Sequence, residues 1–272
     1  MPASPTPLTA LVPPVDAAVT AAVRARQTLV AAAPGDRLPV PAGWPVVAAT
    51  EAVVLRAAPG RDPQALSAEL GRGGRTARCY LDRIVLTAPN GAGCSALVPA
   101  LYDVLGEAYD LLVDAERNIA AAEWALHTVA EVAGRPPQAV LDVGCGSGLS
   151  LRASNRPPSL TGWDPSPAMR RLAAAAGMHV IPALTSPPGE AWDAALACYV
   201  LHLPGAADTA AHAVRLLRPG GVLVGNLHRT ADPAALPAAC ARHRIRCRTV
   251  SRHPLHGDLI VLSSLPTDSG AA

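Results

Sequence analysis

The stretch Ala139-Val140-Leu141-Asp142-Val143-Gly144-Cys145-Gly146-Ser147-Gly148 constrains this chain more than any other. An apolar run ends in an acid, and glycines follow at 144, 146 and 148. The run reads as a buried parallel strand and the glycines as the turn leaving it. Leu149 to Ala153 reads as the start of a helix. Strand, glycine turn and helix N-terminus together let a nucleotide-like ligand lie against bare backbone. Taken alone, the same string also fits an ordinary tight turn between strand and helix.

The residues that follow repeat this unit. Strands are expected at 138–143, 159–163, 178–182, 193–198, 221–227, 246–251 and 257–263, with helices at 148–153, 167–176, 206–217 and 232–242. Alternation of this kind predicts a mostly parallel sheet covered on both faces. The last two strands are joined only by His253-Pro254-Leu255-His256-Gly257, too short for a parallel crossover, so they should pair antiparallel.

The first part of the chain reads differently. Val15–Ala33 lacks breakers and is expected to be a helix. Val46–Ala58 and Thr76–Leu86 are read as helical too, and Asp62-Pro63 as an N-cap and first turn leading to Leu70. Ser95–Val113 reads as a helix broken near Gly106, and Ala115–Val132 as a second helix closed by Gly134. The expected organisation is a helical cap or lid at 1–95 and an α/β domain at 96–268. A helical region of this kind can also serve as a homodimer interface.

Four segments in order resemble the class I S-adenosylmethionine (SAM) methyltransferases. The first is Asp142 to Gly148, similar to that family's acid followed by G-x-G-x-G. The second is Leu160-Thr161-Gly162-Trp163-Asp164-Pro165, whose acid lies 22 residues after Asp142. The third is Trp192 to Leu203, ending in Cys198-Tyr199-Val200-Leu201-His202. The fourth, Leu217-Arg218-Pro219-Gly220-Gly221, resembles the turn before the fifth strand. The resemblance implies a Rossmann-like seven-stranded sheet with an antiparallel last strand, SAM as cofactor, and methyl transfer to an oxygen or nitrogen of a small molecule, with secondary metabolism as the setting by fold analogy alone.

On that resemblance the cofactor would be held by Asp142, Gly144, Cys145, Gly146, Gly148, Asp164, Pro165 and Cys198. Asp164 would accept hydrogen bonds from ribose hydroxyls, a role its spacing from the glycine turn favours over capping the helix near Pro167. The family often has an adenine-binding acid after the third strand, and Ile181-Pro182-Ala183-Leu184 offers none. Tyr102 and Tyr109, each followed by Asp, resemble the family's lid segment; aromatic faces attract a sulfonium, and they also pack cores. His202, Tyr199 and His228 are the catalytic candidates, lying after the fourth and fifth strands. Two rival readings remain open: intramolecular cyclisation of SAM to azetidine-2-carboxylate with loss of methylthioadenosine, and SAM binding without catalysis.

Composition narrows partners. A net charge of +2 argues against a nucleic-acid partner. The six cysteines lack disulfide-framework spacing. Cys240-x-x-His243-x-x-x-Cys247 matches no standard zinc pattern, so no metal is expected. Arg242, Arg244, Arg246 and Arg248 alternate as on a charged edge strand. No apolar run is long enough for a membrane span, and the expectation is a cytoplasmic protein with no membrane partner.

Overall fold

The structure is a computed structural model that describes residues 15–38, 43–90, 94, 97–185, 192–203, 205–228 and 235–265. The chain divides into two compact units, Met1–Leu112 and Val113–Ala272. Residues 97–112, expected with the second domain, group with the first unit.

The first unit corrects the expectation of a purely helical region. It is built on a five-stranded sheet. The strands are β1 (Thr28–Ala32), β2 (Val46–Ala49), β3 (Val54–Ala58), β4 (Arg75–Tyr80) and β5 (Ile84–Pro89), in the order β2-β3-β1-β5-β4. β1 and β5 pair in parallel, and the other pairs are antiparallel. The expected long first helix stops early: α1 spans Val15–Arg24, and Arg26 turns the chain at φ +56° before β1 begins. Every residue of β1 is buried, as are the first five of β5. Strands buried on both faces lose the alternation that marks a strand, and Ala-rich examples then read like helix. β-sheet pairing decides the outcome over local propensity.

Val46–Ala58 and Thr76–Leu86, read as helical, form strands β2 to β5 instead, while the helices expected after Asp62 and before Gly106 form. Asp62 caps α2 (Pro63–Arg72), its side chain accepting from the Ala65 N–H at 2.8 Å. Helix α3 (Leu97–Leu105) gives way to a 3₁₀ turn at Gly106–Leu111, so the break near Gly106 is real. A buried ion pair ties Asp36 to Arg75, whose Nε also donates to Thr87 at 2.9 Å.

The second unit has the expected α/β architecture. Helix α4 (Ala115–Ala133) starts at the Asp114 cap and ends at Gly134, which is left-handed at φ +69°. Then follow β6 (Ala139–Val143), β7 (Ser159–Trp163), α5 (Pro167–Ala175), β8 (His179–Val180), β9 (Trp192–Ala197), α6 (Ala206–Arg215), β10 (Leu217–Leu227), α7 (Ala235–Arg242), β11 (Ile245–His253) and β12 (Gly257–Ser264). The sheet order is β11-β12-β10-β9-β6-β7-β8. β12 enters antiparallel between β10 and β11. The expected first helix after the glycine turn is a single 3₁₀ turn, Leu149–Arg152.

One face of this sheet packs with α4 and Ala173 of α5, and the other with α6 and α7. Asp193 at the start of β9 accepts the backbone N–H groups of Gln138 and Ala139, at 2.8 and 3.0 Å, which aligns the entry of β6 with it. The arginine series splits between elements. Arg246 and Arg248 lie on edge strand β11, whereas Arg242 ends α7 and Arg244 is a left-handed junction at φ +57°.

Candidate active site

The strand order reverses at β6, so ligands in a sheet of this kind bind at the carboxyl ends of the strands beside it. The glycine turn lies there. Trp163 O, at the end of β7, accepts the N–H groups of Gly144 at 2.7 Å and Cys145 at 3.0 Å, folding the turn against the neighbouring strand. Gly144 sits at φ +73°, and a Cβ there would run into Val200 Cγ2. Gly148 sits at φ +88°, with α5 only 3.2 Å from where a Cβ would be, at Ala173 Cα. These two positions require glycine for both conformation and space.

Two carboxylates flank the turn. Asp142 is buried and accepts from the Ser150 hydroxyl. Burial pushes its carboxyl up to about 6, the Ser150 hydrogen bond opposes this, and the nearby Asp164 charge adds to it. Asp164 is buried after β7. Its Oδ2 accepts the Gly146 N–H at 3.0 Å and its Oδ1 accepts the Ser166 N–H at 2.8 Å. Helix α5 takes its side-chain cap from Ser166, which accepts the Met169 N–H at 3.2 Å. The helix-cap alternative for Asp164 is thus filled by its neighbour.

The remaining expected cofactor residues occupy different settings. Cys145 is buried in the core with Ala173 and Met178, and burial pushes its thiol far up. Cys198 packs partly buried against the same core, and burial raises its thiol too. Pro165 is exposed and its carbonyl accepts from Arg170 at 3.3 Å. Tyr102 and Tyr109 lie in the first unit, their rings edge to face at 5.5 Å, and the Tyr102 hydroxyl is 2.5 Å from that of Tyr80.

The loop after β9 brings the catalytic candidates together. Tyr199 is left-handed at φ +55°, unusual for an aromatic residue. Asn226, buried in β10, holds it there: its Oδ1 accepts the Tyr199 N–H at 2.6 Å, and its Nδ2 donates to His256 O at 2.7 Å. The Tyr199 and His228 rings meet edge to face at 5.4 Å, and His202 and His228 at 6.3 Å.

Three participants escaped the sequence reading. Arg117, in the first turn of α4, donates from Nε to Tyr199 Oη at 3.0 Å and from Nη2 to Leu255 O. Its Nη2 also lies 3.3 Å from His228 Nε2. His256, buried in the β11–β12 hairpin, has Nδ1 2.6 Å from Tyr199 Oη. Asn226 is the third, and a polar residue within Val222–Leu227 was the one available signal for it. Burial raises the Tyr199 hydroxyl while the Arg117 hydrogen bond and charge pull it back. Burial lowers His256, and His253, Arg117 and His228 lower it further.

The model of a methyltransferase domain matches residues 115–258, more than half of the chain. The chain belongs to this methyltransferase family. Among solved structures it is similar to a sugar N-methyltransferase from a Streptoalloteichus species, at 21% identity and a TM-score of 0.47, covering 59% of this chain and 94% of that one. It is also similar to a SAM-bound amino pentose methyltransferase from Micromonospora echinaspora, involved in calicheamicin biosynthesis, at 18% identity and a TM-score of 0.48, covering 58% and 97%. A third is a SAM-bound magnesium protoporphyrin IX methyltransferase from Synechocystis, at 17% identity and a TM-score of 0.44, covering 65% and 100%. No curated protein sequence matches the chain.

Methyltransferases of this class are SAM-dependent, and the residues present fit that cofactor. The turn offers bare backbone where Val200 leaves no room for a Cβ at Gly144. Asp164 places a buried carboxylate beside the turn, bonded to the Gly146 N–H. Among the described residues, no helix is long and apolar enough to cross a membrane.

Proposed function

We propose that this methyltransferase acts on an oxygen or nitrogen of a small molecule, with secondary metabolism as its setting. One observation carries the reading: Val200 seats against Gly144, joining the glycine turn to the loop that bears Tyr199 and His202. A cofactor on the turn and an acceptor beside Tyr199 would then share one mouth at the carboxyl ends of β6, β9 and β10.

In this proposal Gly144, Gly146 and Gly148 give the cofactor backbone to lie on, and Asp164 takes its ribose hydroxyls. Asp142, through Ser150, fixes the 3₁₀ turn that follows. When bound, SAM supplies an electrophilic methyl group on a sulfonium. The chain has to orient the acceptor and keep water out, and orientation alone can lower a barrier by roughly 7–11 kcal/mol. Tyr199, His202 and His228 line the acceptor side.

Product analysis after incubation with SAM tests this. S-adenosylhomocysteine that appears only with an added hydroxyl or amino acceptor supports methyl transfer. Methylthioadenosine formed from SAM alone would favour cyclisation instead. SAM bound but unchanged with every acceptor tried would favour a binding protein.

A further inference from the structure

Tyr199 Oη has one proton to give and two lone pairs to fill. Two of these three places are taken by groups of this chain. His256 Nδ1 stands 2.6 Å away and Arg117 Nε donates from 3.0 Å. Arginine has only donors, so it occupies a lone pair; His256 Nδ1 can then either accept the Tyr199 proton or, as N–H, donate to the second lone pair. With Nδ1 as the acceptor, one lone pair on Oη remains, and it can receive only a donor.

We propose that Tyr199 and His256 form a proton-relay pair, and that the methyl acceptor is a group with an O–H or ammonium N–H to give up. This rests on the methyltransferase reading and narrows its substrate class. The proton leaves the acceptor for the open lone pair of Tyr199 Oη as the Tyr199 proton passes to His256 Nδ1. The acceptor keeps the electron pair of the broken O–H or N–H bond, and that pair is what attacks the methyl group. His256 ends as an imidazolium and Tyr199 is restored. An acceptor without a proton to lose, such as a thioether, has nothing to place on Oη.

The surroundings suit each role. Tyr199 is half-buried and can meet a substrate, whereas His256 is only 4% exposed and can be reached through Tyr199. The titratable and charged groups around this pair are Arg117 of α4 with Asp114 at its cap, Cys198 after β9, His228 after β10 and His253 from β11, and the Trp124 ring of α4 is tilted with its centroid 5.8 Å from that of His256. Burial, and after it the charges of His253, Arg117 and His228, lower His256 and favour the neutral ring that can accept a proton. Arg117 is a positioning residue. Its hydrogen bonds to Tyr199 Oη and Leu255 O set the tyrosine against the hairpin that carries His256. Asn226 does the same from the other side, tying the Tyr199 backbone to that of His256.

The test uses the full chain with ¹⁵N-labelled histidine, followed by NMR across a pH series. The expected signature is a neutral His256 at pH 7 protonated on Nε2, with Nδ1 as a hydrogen-bonded acceptor and a titration midpoint below the usual histidine range. Y199F removes the donor to the neutral ring, so the midpoint should rise by roughly half to one pH unit, the equivalent of one hydrogen bond. The Tyr199 ring resonances should move with the same midpoint in wild type and lose that transition in both H256Q and H256N. A His256 protonated on Nδ1 at pH 7, or a midpoint unmoved by Y199F, overturns the relay. Calorimetry with SAM on the same samples judges the underlying reading separately: the relay variants should bind SAM within about threefold of wild type, because neither residue is assigned to the cofactor. Loss of SAM binding in Y199F with the fold intact would also count against the assignment.

Discussion

Replacing Gly144 with Ala tests the glycine turn at its tightest point. Gly144 is at φ +73°, where an L-residue pays about 1–2 kcal/mol. The new Cβ also collides with Val200, a β-branched side chain with little rotamer freedom, and overpacking of this kind costs roughly 1–3 kcal/mol. The sum is a destabilisation on the order of 3 kcal/mol. In a unit of this size that lowers the melting temperature by about 6–12 °C. The assay is thermal and urea unfolding of wild type, G144A, V200A and the double variant. Shortening Val200 should relieve the collision and leave the backbone cost, so the double variant should recover about half of the loss. A coupling energy of at least about 0.5 kcal/mol between the sites is expected. G144A within about 0.5 kcal/mol of wild type, or no coupling to Val200, would refute the packing argument, and with it the join between the turn and the Tyr199 loop.

Other consequences follow from named contacts. Asp142 has an ordinary value of 3.8 and stands at about 6 in the folded chain. Its folded value is the higher one, so its contribution to stability is fully present below pH 4 and is lost as pH rises through 6; the span corresponds to roughly 3 kcal/mol. D142N, which keeps an acceptor for Ser150, should flatten that part of the stability profile in urea unfolding. D36A strands the buried Arg75 charge and should destabilise the first unit by about 3–5 kcal/mol, read as a lower melting temperature. N226A removes two hydrogen bonds from a buried strand and should cost about 2–4 kcal/mol, while also lowering turnover through Tyr199 and His256. With an identified acceptor, Y199F should lower kcat by 10²–10⁴-fold, the usual contribution of a positioned acid or base; a change under threefold would argue against it.

The second unit was readable because its information is local. Short apolar strands alternate with helical segments from β6 onward, the glycine turn marks the end of β6, and the short His253–Gly257 link alone requires β11 and β12 to pair antiparallel. Asp164 stood out by its distance from the turn. The first unit failed the same reading because β1 and β5 are buried on both faces and rich in Ala and Val, leaving no period to detect. Arg117 and His256 were invisible for a different reason. Their roles come from contacts spanning 82 and 57 residues, to a tyrosine that each meets only once the sheet has formed. Nothing in the first turn of a helix or in a hairpin loop marks such a partner in advance.

The most direct measurement is a calorimetric titration of SAM into wild type and D164A. Wild type should form a one-to-one complex, and D164A should bind at least tenfold more weakly, because the carboxylate that orients the Gly146 and Ser166 N–H groups is gone. Absence of SAM binding by a folded wild-type chain, or equal affinity in D164A, would contradict a SAM site at this turn.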